Sequence, residues 1–200
     1  MQISKVISKK KSNNAITPYN YGFIDLENMP TTKCTSDKIK GTNIEWVITT
    51  DFSNIASNHC GATAITNLAL YYANQGYSNL KKSTPYNTFV AVHKICPDGP
   101  RPTIADYADM YFDDCGYTLK TRSVDNFSDL VDATASDHPC AMLLANGATA
   151  WHWILGIGWR EYITGDQYIR VMDNWKRTAD RFYKPGDGSI WVSAKEYWVK

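Results

Sequence analysis

Cys60 stands between His59 and Gly61 at the start of a predicted amphipathic helix. The first backbone N–H groups of a helix have no partner within it, and the helix dipole favours negative charge at this end. A thiol placed there can have a pKa well below its ordinary value of about 8.5, which makes it nucleophilic near neutral pH. A small cysteine that merely fills the core is the alternative interpretation. The choice between them depends on whether a base accompanies the thiol.

Among the four histidines, His152 is the best candidate for that base. His59 is adjacent to Cys60, so its ring projects away from the thiol, whereas His93 lies on a predicted helix and His138 precedes a proline. His152 begins an apolar strand, and side-chain alternation places it on the face opposite its two tryptophan neighbours. A hydrogen-bonded core histidine is the alternative, because a buried imidazole needs a partner.

The next predicted strand ends in Asp173 and Asn174, and a turn at residues 164–166 makes it the hairpin partner of the histidine strand. Either side chain could hold the imidazole through a ring N–H and fix its tautomer, although such residues also simply end strands. Cys60, His152 and Asp173 would then supply the nucleophile, the base and the group that orients the base.

The composition bounds the class of protein. A chain of 200 residues with 44% hydrophobic residues suits one globular domain, and a net charge of +1 argues against a nucleic-acid partner. No apolar run approaches the roughly 20 residues of a membrane span. The N-terminus lacks the apolar segment of a signal peptide, which leaves a secreted or cell-surface location open because leaders are removed.

The five cysteines show no metal-ligand spacing, so neither a metal nor a cofactor is predicted. The odd number would leave one thiol free if the others paired, and all five could equally be reduced. The cysteines other than Cys60 are Cys34, Cys96, Cys115 and Cys140.

Hydrophobic periodicity and breaker residues predict an α+β protein, with helices followed by an antiparallel sheet. Residues 1–42 are polar, carry a lysine run at positions 9–11, and are predicted to form an arm or pro-segment with at most one short strand. Residues 43–200 form the predicted domain. Helices are expected at residues 60–74, 84–95, 103–114 and 125–133, and strands at 43–50, 117–123, 140–144, 151–162, 167–173 and 189–193.

The chain resembles the papain-like cysteine peptidases, and most closely the bacterial C39-like group. Four motifs in the same order carry the resemblance over residues 45–176. They are Cys60-Gly61 at a helix start, a helix and apolar strand joined by His138-Pro139, the glycine-containing strand that begins at His152, and the strand that ends in Asp173-Asn174-Trp175.

The resemblance implies a papain-like fold in which a helical half carrying the cysteine packs on a sheet carrying His152 and Asp173. It also implies a thiolate–imidazolium pair, a thioester intermediate and a peptide or protein substrate. The family places an oxyanion-hole amide, usually glutamine, six residues before the nucleophile, where this chain has the shorter Asn54. Asn58 is a second candidate for that donor, or else the helix N-cap, and Asn174 is an alternative to Asp173.

Two other functions fit the same residues. One is acyl transfer or amide hydrolysis on a cell-wall peptide or acyl substrate, because a cysteine–histidine–aspartate arrangement serves these reactions as well. The other is a degenerate domain of the same fold that binds peptide without cleaving it, which the departure at Asn54 favours.

Overall fold

The computed structural model describes residues 21–145 and 151–200, and in them it shows an α+β fold. Eight strands of the described chain form one antiparallel sheet, with helices on both faces. The strands are β1 Phe23–Asp25, β2 Cys34–Lys38, β3 Leu119–Ser123, β4 Cys140–Ala145, β5 Trp151–Tyr162, β6 Gln167–Met172, β7 Arg181–Tyr183 and β8 Ile190–Val199. The helices are α1 Cys60–Asn74, α2 Pro85–Ile95, α3 Ala105–Asp114 and α4 Phe127–Ala135.

Strand β5 is the centre of the sheet, whose order is β1-β7-β6-β5-β4-β8-β3. One edge of β5 pairs first with β4, over Trp151 to Gly156, and then with β2, over Gly158 to Tyr162. The other edge pairs with β6 only from Leu155 onwards. The first residues of β5 therefore have no strand partner on the β6 side, and the backbone groups there are open to other contacts.

Helix α1 is buried on all sides in its central part, from Gly61 to Tyr72. It packs with α2, α3 and the Trp153 face of β5 in the larger hydrophobic core. The buried hydroxyls of Thr63 and Thr66 donate to the carbonyls of His59 and Ala62, so α1 leaves neither hydroxyl unpaired. In the described residues, no helix is long and apolar enough to span a bilayer.

Helix α4 covers the opposite face of the sheet. Its Leu130 and Ala133 pack on Met142 of β4 and Ile154 of β5 in a second core. The predicted helices and most of the predicted strands are thus present, with boundaries shifted by a few residues, and β8 is longer than expected.

The expected N-terminal arm contributes more to the sheet than the sequence pattern predicts. β1 pairs with β7, and β2 pairs with the second half of β5. β2 is polar and mostly exposed, so hydrophobic alternation could not detect it. The glycine at position 158 permits the close approach, because a Cβ there would lie 2.5 Å from the carbonyl oxygen of Asp37. Residues 1–20, with the lysine run, lie outside the described residues.

The strand predicted at residues 43–50 is wrong. Trp46 and Val47 are buried as a strand would require, but the chain makes no ladder there and enters a 3₁₀ turn at Thr49–Phe52. The side chain of Asn67 on α1 takes the place of a neighbouring strand. Its amide oxygen accepts from the Val47 N–H at 2.9 Å, and its amide nitrogen donates to the Val47 carbonyl at 2.9 Å.

Replacing Asn67 by alanine is expected to lower the free energy of unfolding by roughly 2–4 kcal/mol, because buried groups of Val47 and Asn174 lose their partner. Denaturant titration measures the loss. Asn74→Ala on the same helix removes one exposed hydrogen bond and is the matched control, with an expected change within about 1 kcal/mol. Equal effects of the two substitutions would contradict the role given to Asn67.

Candidate active site

Cys60 is the first residue of α1 and is half-buried. Its neighbour Gly61 has no side chain, which allows the first turn of α1 to pack closely against the side chains around it. A Cβ at position 61 would lie 3.0 Å from Ile104 Cγ2 and 3.7 Å from both Cys96 Sγ and Trp153 Cδ1. A larger residue at position 61 would push the cysteine out of place, so the Cys-Gly pair has a packing reason as well as an electrostatic one.

The Cys60 thiol lies against the open edge of β5. Its Sγ is 3.8 Å from the carbonyl oxygen of Trp151, to which it donates, and the backbone N–H of Trp153 faces the sulfur. These two peptide groups flank His152 along the strand. The structure therefore places the predicted nucleophile against the main chain on either side of His152, at the point where β6 has turned away from β5.

The His152 ring is buried and held on two sides. It stacks on Trp175, with ring centroids 3.8 Å apart and an interplanar angle of 7°. Its Nε2 lies 2.6 Å from the backbone carbonyl oxygen of Asp173. Since a carbonyl only accepts, Nε2 carries the proton, and the neutral ring has its lone pair on Nδ1. His152 is thus fixed in the tautomer whose Nδ1 can act as a base.

Asp173 orients the imidazole through its main chain, whereas the sequence predicted its carboxylate for this role. Oδ1 accepts from the N–H groups of Trp175 and Lys176 at 2.9 and 2.8 Å, and Oδ2 lies 2.5 Å from Arg181 Nη1. The carboxylate is buried and fully engaged. It therefore shapes the turn after β6, which aims the Asp173 carbonyl and the Trp175 ring at His152.

Asn174 contacts the backbone of β5, and its amide is not the partner of the imidazole. Its Nδ2 donates to the Trp153 carbonyl at 2.7 Å, and its Oδ1 accepts from Asn67 Nδ2 at 2.7 Å. Its backbone is in the left-handed region, with φ of 62°, which asparagine tolerates better than most residues. Asn174 therefore ties α1 to the open edge of β5 beside the thiol.

The residues before the nucleophile are placed differently from their predicted roles. His59 is the N-cap residue of α1, so Asn58 is not, and no side chain of the described residues caps this helix. The His59 ring donates from Nε2 to the Thr49 carbonyl at 2.8 Å, away from the thiol. Asn54 is exposed in a turn, and none of its side-chain atoms is hydrogen-bonded to the described residues.

Burial shifts both titratable groups towards their neutral forms. It raises the pKa of the Cys60 thiol, although the N–H groups of Trp153, Gly61 and Cys60 itself oppose that shift. It also lowers the pKa of His152 to about 4, against the opposing effect of the Asp173 carbonyl. The helix terminus alone predicted a lowered thiol pKa and an ion pair. In the folded protein, desolvation outweighs the helix N–H groups, so thiol and imidazole are both uncharged at neutral pH.

Trp153 forms one wall of a cavity of about 240 Å³, and the same ring lies next to Gly61, the residue that follows the thiol. The Trp153 indole is anchored by a 2.8 Å hydrogen bond from Nε1 to the Arg101 carbonyl, so this wall is rigid. The cavity floor is the sheet, and the side chains around it are small or apolar with two charged residues. They belong to Pro102, Thr103, Ser123, Asp125, Ala141, Val192, Ser193, Ala194, Lys195 and Tyr197.

Arg181 and Asn67 hold this site although the sequence does not predict it, and Trp175 is predicted only as part of the motif that ends β6. Asn67 pairs with Asn174, which is 107 residues away, whereas Arg181 pairs with Asp173 only eight residues before it, and no local pattern marks either pair. Trp175 did carry a signal, because an aromatic ring directly follows Asp-Asn at a strand end and can cover the imidazole.

Comparison with protein-family models finds no match to this chain, and comparison with curated proteins finds none either. The resemblance to papain-like peptidases therefore depends on the sequence motifs quoted above.

His152 is expected to make the protein sensitive to acid. Its folded pKa of about 4 lies below the ordinary value of 6.5, so the unfolded chain binds the proton more readily. Stability is full above pH 6.5 and falls as the pH drops towards 4, by up to about 3 kcal/mol. Denaturant titrations of wild type and His152→Gln at both ends of this range measure the effect. The variant lacks this titration and should lose less stability in acid, whereas parallel pH profiles would exclude a neutral buried His152.

Proposed function

We propose that this protein is a papain-like cysteine peptidase, similar to the C39-like group, which cleaves peptide bonds through Cys60 and His152. The observation that carries the proposal is the position of the thiol at the open edge of β5, against the peptide groups on both sides of His152. The fixed tautomer of that histidine adds to it, because a nucleophile needs a neighbouring proton acceptor of defined orientation.

The reaction starts from the uncharged pair. Nδ1 of His152 takes the thiol proton as the Cys60 sulfur attacks the substrate carbonyl, and the imidazolium that results is stabilised by the Asp173 carbonyl at Nε2. The negative charge passes to the carbonyl oxygen, where the Cys60 N–H and the Asn54 amide are the proposed donors. His152 then protonates the leaving amine, and water hydrolyses the thioester and restores the thiol.

The substrate lies, in this proposal, across the strand ends next to the thiol. Trp151, Ile190 and Val192 expose apolar surface there, and Val192 also lines the cavity of which Trp153 forms one wall. A small exposed apolar area beside a nucleophile suits an extended peptide with an apolar side chain seated in the cavity.

A peptide-binding domain without activity is the second candidate, and two observations favour it. The Asp173 carboxylate is occupied by Arg181, and burial raises the thiol pKa where an active cysteine usually has a lowered one.

Acyl transfer or amide hydrolysis on a cell-wall substrate uses the same steps and is separated from peptidase activity by substrate alone.

Replacing Cys60 by alanine is expected to reduce peptide hydrolysis by a factor on the order of 10⁴ or more, because the nucleophile is lost. Product formation from a peptide library and from muropeptides, followed by mass spectrometry, measures it and separates the two substrate classes. Cys34→Ala, which removes a half-buried thiol at a distant strand, is the matched control and should keep full activity. No turnover by wild type on either library, together with retained peptide binding, would establish the inactive domain.

Filling the cavity is expected to impair substrate binding selectively. Ser193 is exposed, lines the cavity and pairs with Leu143, so a tryptophan there would occupy the space without disturbing the core. Ser193→Trp should raise KM roughly tenfold for peptides with a large apolar side chain near the scissile bond, and less for peptides with glycine there. Ser36→Trp, on β2 beside the other end of β5, is the control. An equal effect on both peptide types would contradict the assignment of the cavity.

A further inference from the structure

The loop that leads into the nucleophile is held from outside by a neighbouring loop. Asp98 lies between α2 and α3, and its Oδ2 accepts from the Ser57 N–H at 2.9 Å and from the Ser57 hydroxyl at 3.3 Å. The next residue, Gly99, donates its N–H to the Asn58 carbonyl at 3.2 Å. Ser57 and Asn58, which directly precede His59, are therefore each hydrogen-bonded to this loop.

Asn58 is the point at which this support is needed. Its φ is 49°, in the left-handed region, which a non-glycine residue adopts only at some cost in free energy. Such a conformation persists when surrounding contacts determine it. Here the contacts on either side of the Asn58 α-carbon come from Asp98 at Ser57 and from Gly99 at the Asn58 carbonyl.

Asp98 is itself held in place by its surroundings. The ring Nε2 of His93, on α2, lies 2.8 Å from Asp98 Oδ1, and the ring stacks on Phe89. The Arg101 guanidinium donates to the Asp98 carbonyl at 3.0 Å, while the Arg101 carbonyl accepts from the Trp153 indole. The same loop therefore positions both the approach to Cys60 and the wall of the cavity.

We propose that Asp98 is a positioning residue for the proposed nucleophile. By keeping Asn58 in the left-handed conformation, it sets the direction in which the chain enters α1. That direction determines where the N–H groups of Cys60 and Gly61 point relative to the sulfur and to a developing oxyanion. This inference rests on the proposed function, because it gives Asp98 a role in that site and in no other.

The test compares Asp98→Ala with Asp98→Asn by the rate of Cys60 alkylation with iodoacetamide across pH. Loss of the acceptor lets Asn58 relax, so the Cys60 thiolate loses N–H support and Asp98→Ala reacts roughly tenfold more slowly near neutral pH. Asp98→Asn keeps an acceptor for Ser57 and stays near the wild-type rate. If Asp98 acted instead through its negative charge, which disfavours the thiolate, both variants would be alkylated faster than wild type. Asp166→Ala, in the distant β5–β6 hairpin, is the control.

A second substitution distinguishes positioning from general loss of structure. Glycine adopts the left-handed region without strain, so adding Asn58→Gly to Asp98→Ala should recover most of the alkylation rate and of kcat, with KM little changed throughout. Asp98 is 38% exposed at its side chain, so the variants are expected to fold; should Asp98→Ala unfold, Asp98→Glu is read in the same assay. A wild-type rate in folded Asp98→Ala, or no recovery with Asn58→Gly, would overturn the proposal. The alkylation rate tests the role of Asp98 even if the wild-type protein cleaves no substrate. Failure of the proposed function would appear as absent turnover and is therefore distinguished from failure of this inference.

Discussion

A series of hydrogen bonds between buried amide groups connects helix α1 to strand β5 of the sheet. Asn67 on α1 bonds to both backbone groups of Val47 and to Asn174, and Asn174 bonds to the Trp153 carbonyl on β5. Each anchor lies close in sequence to a residue of the candidate site. Asn174 follows Asp173, Trp153 follows His152, and Cys60 lies about two turns before Asn67. These neutral hydrogen bonds therefore connect the helix that carries the thiol to the strand that carries His152.

Burial is the second constraint, and it acts on the site in two ways. It raises the thiol pKa and lowers the imidazole pKa, which leaves both groups uncharged at neutral pH. The same low dielectric strengthens the N–H groups around the sulfur and the carbonyl at His152 once charge develops. For the proposed reaction, the uncharged pair favours proton transfer that is concerted with attack over an ion pair formed beforehand.

Much of the fold follows from local patterns in the sequence. The period of the apolar residues predicts α1 and its neighbours, and the alternation around His152 places it opposite Trp153, as found. Pairings between distant residues are beyond such patterns. Polar β2 joins the sheet through backbone hydrogen bonds, which its side chains do not reveal. Residues 43–50 have the composition of a strand because Trp46 and Val47 are buried. In the structure, however, the side chain of Asn67 bonds to the backbone of Val47 where a neighbouring strand would.

The candidate site was predicted residue by residue, but the roles of several groups differ. Cys60 lies against the main chain on either side of His152, whereas Asp173 holds the imidazole through its carbonyl because Arg181 and two N–H groups occupy its carboxylate. Side-chain type suggested the carboxylate, and only the geometry of the turn shows that the main chain is closer. The thiol pKa differs for a similar reason, since helix position is visible in the sequence and the depth of burial is not.

The central claim is that Cys60 attacks carbonyl carbon with His152 as its base. A peptidyl acyloxymethyl ketone tests this most directly, because its attachment to sulfur requires attack by an activated thiol and departure of a carboxylate. Peptide mapping by mass spectrometry locates the adduct in wild type and in His152→Gln. Cys60 is expected to be modified in wild type and to be modified much more slowly in the variant. Attachment at Cys34 to a similar extent, or equal labelling of Cys60 without His152, would contradict it.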